Sequence, residues 1–521
     1  MSLRSFVPEE RRILRILIIL TIIIRLALAF RPEWRIATRP FNDDAFYLFT
    51  VSEHLAHGDG LTIDGVHPTN GIQPLVTYLY VPFFAIANGD KLLAIRLCFI
   101  LIAIFDAIGV YLIAKLILLL ARKETEEKNV WLRPPIVAAW LWTFLYSIFV
   151  HNANGLETGV YATFLLASIY YYARLRYGGR NPALFQWFGL GTLLGFTVLA
   201  RIDAVFLVIA ICGYELYRYK LGGVLSAAFT GATAFLISSP WWIYNLTKFG
   251  SIMPQSGLSE SMEDVLAENL RRGAIVIGDI LSVFFFSPNY DLPAWFHYFW
   301  MFLMISVAVW IFRRYSLLNF LRNNYDLSPL VPLALMSFVL MIYYVFFFGA
   351  PHFLPRYFHP ARILWLLVFV TSVPVFLSRF RSYQLRKPRF AKRILILFAF
   401  CAIGFSLSRY AYYFVVSGVN DLYRTALWAQ QHPDKKIGMQ QTGISGYFAS
   451  NVVNLDGKVN FEALQARQHN DIGSYIIKRD LDYIVDWSDF AIPMVLSAES
   501  HGAKFVRIDS LGRVIIFKRV R

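Results

Sequence analysis

Apolar runs of roughly 17–25 residues recur along the chain, and this is the length that an α-helix needs to cross a lipid bilayer. Hydrophobic residues make up 57% of the 521 residues and charged residues 16%, whereas soluble domains average about 45–50% and about 25%. The sequence therefore predicts an all-α polytopic membrane protein with about eleven transmembrane helices. Their expected positions are 12–30, 93–120, 134–150, 157–174, 185–200, 203–217, 224–246, 294–312, 329–348, 361–379 and 394–416.

The basic residues cluster in short loops beside these runs. The formal charge of +16 would suit a nucleic-acid partner, but Lys- and Arg-rich loops next to apolar segments are typical of the cytoplasmic side of a membrane protein. We therefore expect membrane lipid, and no nucleic acid, as a partner of this charge. The loops concerned are 174–180, 218–220, 313–322 and 379–393.

These loops share one side of the membrane only if the apolar segment 72–88, which prolines interrupt, makes no net crossing. We therefore predict that 72–88 and 271–288 are interfacial or re-entrant. The N-terminus is then cytoplasmic and the C-terminus lies outside. Residues 13–30 resemble a signal peptide, but the run is long and contains Arg25, so we interpret it as an uncleaved first helix.

The chain changes character near residue 417. Residues 1–416 form the predicted membrane domain, with outer loops at 31–92, 247–293 and 349–360. In 417–521, short strand patterns alternate with helix patterns, which predicts a small α/β domain on the extracytoplasmic side. The predicted strands are 436–439, 483–486, 505–508 and 514–518, and the predicted helices are 421–430 and 461–467.

Two adjacent carboxylates, Asp43 and Asp44, follow the first predicted span. Neighbouring carboxylates repel each other, so one of them tends to have a raised pKa unless a cation intervenes. A raised pKa suits a general base. The pair also suits metal binding, for which Asp43 is the candidate. The alternative is that either residue only caps the helix that follows.

Polar residues in the same loop and in the next outer loops suit sugar binding. His67, Asn70 and Gln73 offer neutral donors and acceptors at the membrane surface, although by themselves they are also typical of a polar turn. Asn245 is a similar candidate at the exit of a later span. Glu157 begins a helix, where the helix dipole favours a carboxylate whether or not it binds substrate.

Charged residues between apolar segments form a second group. Arg201 and Asp203 would be costly if they faced lipid, so we expect them to pair or to line a cavity. Arg201 suits bidentate phosphate binding, and a structural ion pair between helices is the alternative. Arg356 and Tyr357, near two histidines in the third outer loop, suit a phosphate or pyrophosphate. Contact with lipid headgroups is the alternative there.

A series of short motifs follows the same order as in a known superfamily. With these motifs the chain resembles the GT-C superfamily of membrane glycosyltransferases, and more narrowly the bacterial and archaeal group related to family 39 and arabinosyl-type transferases. Gln73 stands where that group would lead us to expect a histidine, which puts a histidine-dependent role there in doubt. The motifs are 43–47, 67–75, 154–158, 199–204, 240–241, 249–254, 355–358, 443–448 and 454–460.

The resemblance implies a plasma-membrane enzyme of cell-envelope glycan biosynthesis. Such an enzyme takes a hexosyl or pentosyl unit from a polyprenyl-phosphate carrier and transfers it with inversion to a glycan, lipid or protein acceptor outside the cytoplasm. Asp44 or Asp43 would be the base, and Arg201 and Arg356 would stabilise the leaving phosphate. Some relatives use a divalent cation, so the acidic pair is compatible with Mg²⁺, with Mn²⁺ or with no cofactor.

Two other functions fit parts of the sequence. A transporter or flippase of a lipid-linked saccharide would show internal repeats and broken helices at mid-membrane, whereas this sequence has no evident repeat and its polar motifs lie at the outer surface. An oligosaccharide ligase or polymerase would rely on Arg and His rather than on an Asp pair. We expect a transferase whose C-terminal domain binds the acceptor or caps the site.

Overall fold

The computed structural model describes residues 5–123, 127–177, 182–261, 265–284, 292–386, 388–416 and 418–520. Arg180 of one predicted basic loop and residues 285–288 of the predicted interfacial segment 271–288 lie outside these ranges. The described residues form a helical body followed by a small domain with one mixed sheet.

Helices dominate the part of the chain before residue 417. Every predicted span coincides with a helix or a close helical pair. The helices described there are α1 (Pro8–Ala27), α2 (Glu33–Thr38), α3 (Asp43–His57), α4 (Pro74–Ala87), α5 (Lys91–Leu120), α6 (Pro134–Phe144), α7 (Tyr146–Asn152), α8 (Thr158–Tyr177), α9 (Leu184–Ala200), α10 (Val205–Tyr219), α11 (Val224–Phe249), α12 (Gln255–Glu260), α13 (Leu266–Ser282), α14 (Ala294–Arg314), α15 (Leu317–Asn324), α16 (Val331–Phe346), α17 (Leu354–Tyr357), α18 (His359–Arg386) and α19 (Pro388–Ala411).

By length and composition, six helical segments of the described chain are able to cross a membrane, or seven if α6 and α7, bent by 58°, form one span. The segment 72–88 forms α4, an apolar helix of 14 residues, which is shorter than the roughly 20 residues of a typical span. The polytopic helical fold is therefore confirmed. The total of about eleven spans and the orientation of the termini stay predictions.

Two charged residues inside the spans pair with each other. Arg25 Nε donates to Asp106 Oδ2 at 2.6 Å, joining α1 to α5. Trp142 and Asn152 donate to the other oxygen of Asp106 at 2.6 and 2.8 Å. An unpaired charge in the hydrocarbon region is costly, so these hydrogen bonds stabilise the packing of α1 and α5 against the bent pair α6 and α7.

Residues 418–520 form the predicted small α/β domain. The predicted strands and helices are all present, together with the three-residue strand β2 and three helices that were not predicted, one of which, α24, has 13 residues. Strands β2, β1 and β3 are parallel, β5 pairs antiparallel with β3, and β4 pairs antiparallel with β5, in the order β2-β1-β3-β5-β4. The elements are α20 (Asp421–Gln430), β1 (Ile437–Met439), α21 (Gly443–Phe448), β2 (Val452–Asn454), α22 (Phe461–Gln468), α23 (Ile472–Lys478), β3 (Tyr483–Trp487), α24 (Ser488–Ser500), β4 (Lys504–Leu511) and β5 (Val514–Val520).

The C-terminal domain packs directly on α3 and α4. The ring of Tyr447 in α21 lies 5.4 Å from that of Phe46 in α3 and 6.4 Å from that of Phe84 in α4, measured between centroids. Lys91 Nζ donates to the backbone oxygen of Tyr447. Because residues of both domains belong to one buried apolar cluster, the C-terminal domain is held in a defined place above α3 and α4.

Candidate functional site

A cavity of about 500 Å³ lies between the long helices and the segments that follow α1, α3 and α11, and Lys458 of the C-terminal domain also lines it. Ligand sites in proteins commonly have volumes of about 300–1,000 Å³. Its walls are largely apolar, and Trp241, Trp242 and Phe206 form part of them. The charged and polar side chains that line it include Asp44, Tyr47, Gln73, Glu157, Arg201, Asp203, Glu260, Tyr344, Arg356, Tyr357 and Lys458.

The two adjacent aspartates have different surroundings. Asp44 lines the cavity, with its Oδ1 3.8 Å from Lys458 Nζ. Asp43 faces the C-terminal domain, where its two oxygens accept hydrogen bonds from the backbone N–H of Ile444 at 2.7 Å and of Gly443 at 3.3 Å. Successive helical residues point about 100° apart, so only one member of the pair reaches the cavity.

Asp43 has a raised pKa, but repulsion from the adjacent carboxylate is not the main reason. Burial is the largest cause and raises the pKa of Asp43 to about 7, with a smaller contribution from the charge of Asp44. The N–H groups of Ile444 and Gly443 act in the opposite direction. The raised pKa therefore belongs to the residue that joins the two domains, not to the one that lines the cavity.

The geometry does not fit a divalent cation at the acidic pair. Both oxygens of Asp43 accept N–H groups, and the ammonium of Lys458 lies between Asp44 and Glu260. Within the described ranges, no three His, Cys, Asp or Glu residues are arranged to hold a metal ion. Metal binding by Asp43 stays a prediction that these contacts do not support.

Arg201 and Asp203 both pair and line the cavity, as their sequence setting predicts. Arg201 Nε lies 2.9 Å from Asp203 Oδ2, and its Nη1 lies 3.3 Å from Glu157 Oε1. The hydroxyl of Tyr344 donates to Asp203 at 2.7 Å. These buried contacts join the α9–α10 turn to α16 and to the start of α8, and they fix the guanidinium of Arg201 in one orientation.

Several buried polar atoms on residues that line the cavity have no hydrogen-bond partner in the part of the chain that the structure describes. Arg356 Nε is one of them, although it lies 3.8 Å from its ion-pair partner Glu157 Oε1. The same holds for Glu157 Oε2 and Gln73 Oε1. Buried polar atoms are nearly always hydrogen-bonded. A small movement of these side chains would present a cationic donor and two acceptors to a ligand that carries both an anion and hydroxyl groups.

The C-terminal domain contributes Lys458 to this cavity. The residue is 8% exposed, and its Nζ lies 2.7 Å from Glu260 Oε1 and 4.0 Å from Asp456 Oδ2. Burial lowers the pKa of Lys458, but the carboxylates of Asp44, Glu260 and Asp456 outweigh burial and hold it above its usual value. Lys458 is therefore a permanent cation. Neither Lys458, which lies in the motif 454–460, nor Glu260 was predicted from the sequence.

The remaining predicted residues lie elsewhere. Asn70 and Asn245 are fully buried beside the cavity, joined by a hydrogen bond of 3.1 Å, and Asn70 also accepts the backbone N–H of Gln255. They fix the loop around Gln73. His67 is half-buried outside the cavity, where its Nδ1 lies 2.7 Å from Asp64 Oδ2 and its Nε2 lies 3.4 Å from Arg479 Nη2 of the C-terminal domain. The predicted residues that line the cavity are Asp44, Gln73, Glu157, Arg201, Asp203, Arg356 and Tyr357.

The same architecture occurs in a solved structure. No protein-family model and no curated protein sequence matches the chain. The crystal structure of ArnT from Cupriavidus metallidurans bound to undecaprenyl phosphate is similar over 96% of this chain and 97% of that chain, with a TM-score of 0.53 and 11% sequence identity. This likeness confirms the GT-C fold, including its C-terminal domain.

Proposed function

We propose that this protein, which has the GT-C fold, is a glycosyltransferase that uses a polyprenyl-phosphate sugar as its donor. The observation that carries the proposal is one cavity in which the carboxylate of Asp44 and the guanidinium groups of Arg201 and Arg356 converge beside apolar walls. ArnT, whose fold is similar along nearly the whole chain, was crystallised with undecaprenyl phosphate, which is the carrier that such a transfer releases.

Arg356 is the better placed of the two arginines to bind the donor phosphate directly. The guanidinium of Arg201 is already engaged by Asp203 and Glu157, whereas Arg356 Nε is free of hydrogen bonds to described residues. Arginine binds phosphate oxygens through its fork of N–H donors. Arg356 would stabilise the charge that develops on the leaving phosphate, and Arg201 would fix Glu157 and the surrounding wall.

Asp44 is the proposed general base. It takes the proton from an acceptor hydroxyl as the hydroxyl oxygen attacks C1 of the donor sugar. The bond between C1 and the phosphate oxygen breaks, so polyprenyl phosphate leaves with the bonding electrons and the configuration at C1 inverts. A base must lie within hydrogen-bonding reach of the proton that it removes, and Asp44 is the carboxylate of the first outer loop that lines the cavity.

The remaining walls suit the sugar and its lipid. Gln73 Oε1 and Glu157 Oε2, both unpartnered among the described residues, would accept hydrogen bonds from sugar hydroxyls. Trp241 and Trp242 offer aromatic faces, against which a sugar ring or an isoprenoid unit packs. The acceptor, a glycan, lipid or protein hydroxyl, would enter from the outer surface toward Asp44.

A transfer assay tests the proposal. Full-length protein in nanodiscs is given radiolabelled undecaprenyl-phosphate sugars and cell-envelope acceptors, with Asp44→Asn, Asp43→Asn and wild type in parallel, each with and without EDTA. Asp44→Asn should lower the transfer rate by about 10²–10⁴-fold while donor binding persists. Asp43→Asn, at the domain junction, should lose less activity, and EDTA should have no effect because Lys458 occupies the acidic pocket.

Three results of this assay would change or contradict the proposed function. Donor binding without transfer, intact in both aspartate variants, would favour a transporter. Transfer only from a pyrophosphate-linked donor would favour a ligase or polymerase. Equal loss in the two aspartate variants would contradict the role given to Asp44.

A further inference from the structure

We propose that Lys458 of the C-terminal domain binds the donor phosphate, so that this domain completes the active site. The inference rests on the proposed function, since it names a further substrate-binding residue for the same reaction. Its basis is the position of one buried ammonium group that reaches a cavity of the membrane domain from a different folding unit.

The loop that carries Lys458 is held firmly against the membrane domain. Ser259 Oγ donates to the backbone oxygen of Asp456 at 2.6 Å, and Arg467 Nη1 donates to the same oxygen at 2.7 Å. The backbone N–H of Lys458 donates to Asp456 Oδ1 at 2.8 Å. These bonds fix the loop between β2 and α22 on α12, and they direct the lysine side chain into the cavity.

Lys458 lowers the negative charge that an anionic ligand meets in the cavity. Among the described residues that line it, the four carboxylates of Asp44, Glu157, Asp203 and Glu260 stand against the three cations Arg201, Arg356 and Lys458. Without Lys458, the same lining would hold two cations against four carboxylates. An anionic phosphate would then meet stronger repulsion, which a low-dielectric site increases further. The membrane domain is therefore less suited to the proposed donor without Lys458 than with it.

The ammonium also retains free donor capacity. A lysine has three N–H donors, and Lys458 directs one at Glu260, 2.7 Å away. The nearest oxygens of Asp44 and Asp456 lie 3.8 and 4.0 Å away, beyond direct hydrogen-bonding distance. A phosphate oxygen that entered between Asp44 and Arg356 would accept one of the remaining donors. Lys458 would thus act together with Arg356 on the phosphate.

Lipid binding tests this role without knowledge of the donor sugar. The affinities of full-length protein for undecaprenyl phosphate and for undecaprenol are measured, and their ratio reports recognition of the phosphate. Lys458→Met should reduce this ratio by about tenfold or more, the usual effect of losing a charged hydrogen bond, and Lys458→Arg should restore part of it. Lys478→Met, which removes an exposed lysine of the same domain outside the cavity lining, should leave the ratio unchanged.

The outcomes separate this inference from the proposed function. Wild-type protein that binds both lipids equally would overturn the proposed function itself. Discrimination by wild type that persists in Lys458→Met would overturn the inference. An equal fall in Lys478→Met would also overturn it, because loss of positive charge anywhere on the C-terminal domain would then explain the effect.

If Lys458→Met does not fold, the variant Glu260→Gln tests phosphate binding by Lys458 instead. This variant removes the carboxylate next to the ammonium, and it should strengthen binding of undecaprenyl phosphate but not of undecaprenol. Unchanged or weaker phosphate binding would contradict a phosphate-binding role for Lys458.

Discussion

Gly71 of the first outer loop lies directly against the backbone carbonyl of Lys458, so closely that a Cβ atom on Gly71 would overlap that oxygen. Gly443 has the same relationship to the backbone carbonyl of Asp43. At each place the two domains touch through backbone, which only a residue without a side chain permits. Glycine is therefore a requirement of this interface, and it sets the depth to which Lys458 enters the cavity.

Alanine at these glycines should displace the C-terminal domain. We expect Gly71→Ala and Gly443→Ala each to lower the transfer rate by about 100-fold, since a shift of about 1 Å in catalytic groups has effects of that size. Gly446→Ala is the matched control, because its Cβ would have its nearest neighbour, Thr442 Cβ, at 3.9 Å. Initial rates and limited proteolysis at the domain junction report the effect. Full activity in both variants with intact docking would contradict it.

The membrane domain and much of the cavity were predictable from sequence for one physical reason. A charged residue between apolar segments must find a partner or a polar cavity, so Arg201, Asp203 and Arg356 stand out in a sequence in which only 16% of residues are charged. The two aspartates stand out equally, but the sequence does not separate them. Which of the two aspartates faces the cavity depends on the contacts that Asp43 makes with α21, about 400 residues later in the chain.

Lys458 and Glu260 could not be predicted from the sequence, because neither residue has an unusual setting there. A lysine in a polar domain has no unusual setting in sequence, and its proximity to Asp44 joins positions far apart in the chain. Glu260 ends the six-residue helix α12, which carries no recognisable motif. Only the docking of the two domains, produced by buried apolar contacts and by the close approach at Gly71, brings these groups together.

Acidification should stabilise the docked protein through Asp43. Its pKa is raised to about 7 from an ordinary 3.8, so the folded protein binds the proton more tightly than the unfolded chain. This stabilisation is complete below about pH 4 and is lost as the pH rises through about 7, with about 1.4 kcal/mol for each unit of pKa shift. Asp456 and Asp486, whose pKa values burial raises to about 6, act in the same direction.

Thermal unfolding in one detergent at pH 5 and at pH 8 measures this dependence. Wild type should unfold at a lower temperature at pH 8. The difference should be smaller in Asp43→Asn, because the amide does not titrate. A difference of the same size in both proteins would contradict the assignment to Asp43.

The pair formed by Arg25 and Asp106 should contribute to the stability of the membrane domain as a unit. Loss of one member of a buried ion pair typically lowers the free energy of unfolding by about 3–5 kcal/mol, because the other charge stays buried. We expect Asp106→Leu and Arg25→Leu each to destabilise by this amount, and the double variant by clearly less than their sum. Unfolding in mixed micelles measures the cycle. Additive losses would show that the two side chains stabilise the domain independently.

The two arginines that line the cavity should have different roles. We expect Arg201 to be structural and Arg356 to bind the substrate. Arg201→Met leaves Asp203 and Glu157 buried without their cation, so we expect it to lower the free energy of unfolding by about 3–5 kcal/mol. Arg356→Met removes a donor to the leaving phosphate, so it should lower the transfer rate by about 10²–10³-fold and weaken binding of undecaprenyl phosphate, with a melting temperature near that of wild type. Melting curves and lipid titrations of both variants provide the test. The two roles would be reversed if Arg201→Met were stable but had lost phosphate binding while Arg356→Met had kept it. Phosphate recognition would then depend on the arginine that the carboxylates hold in place.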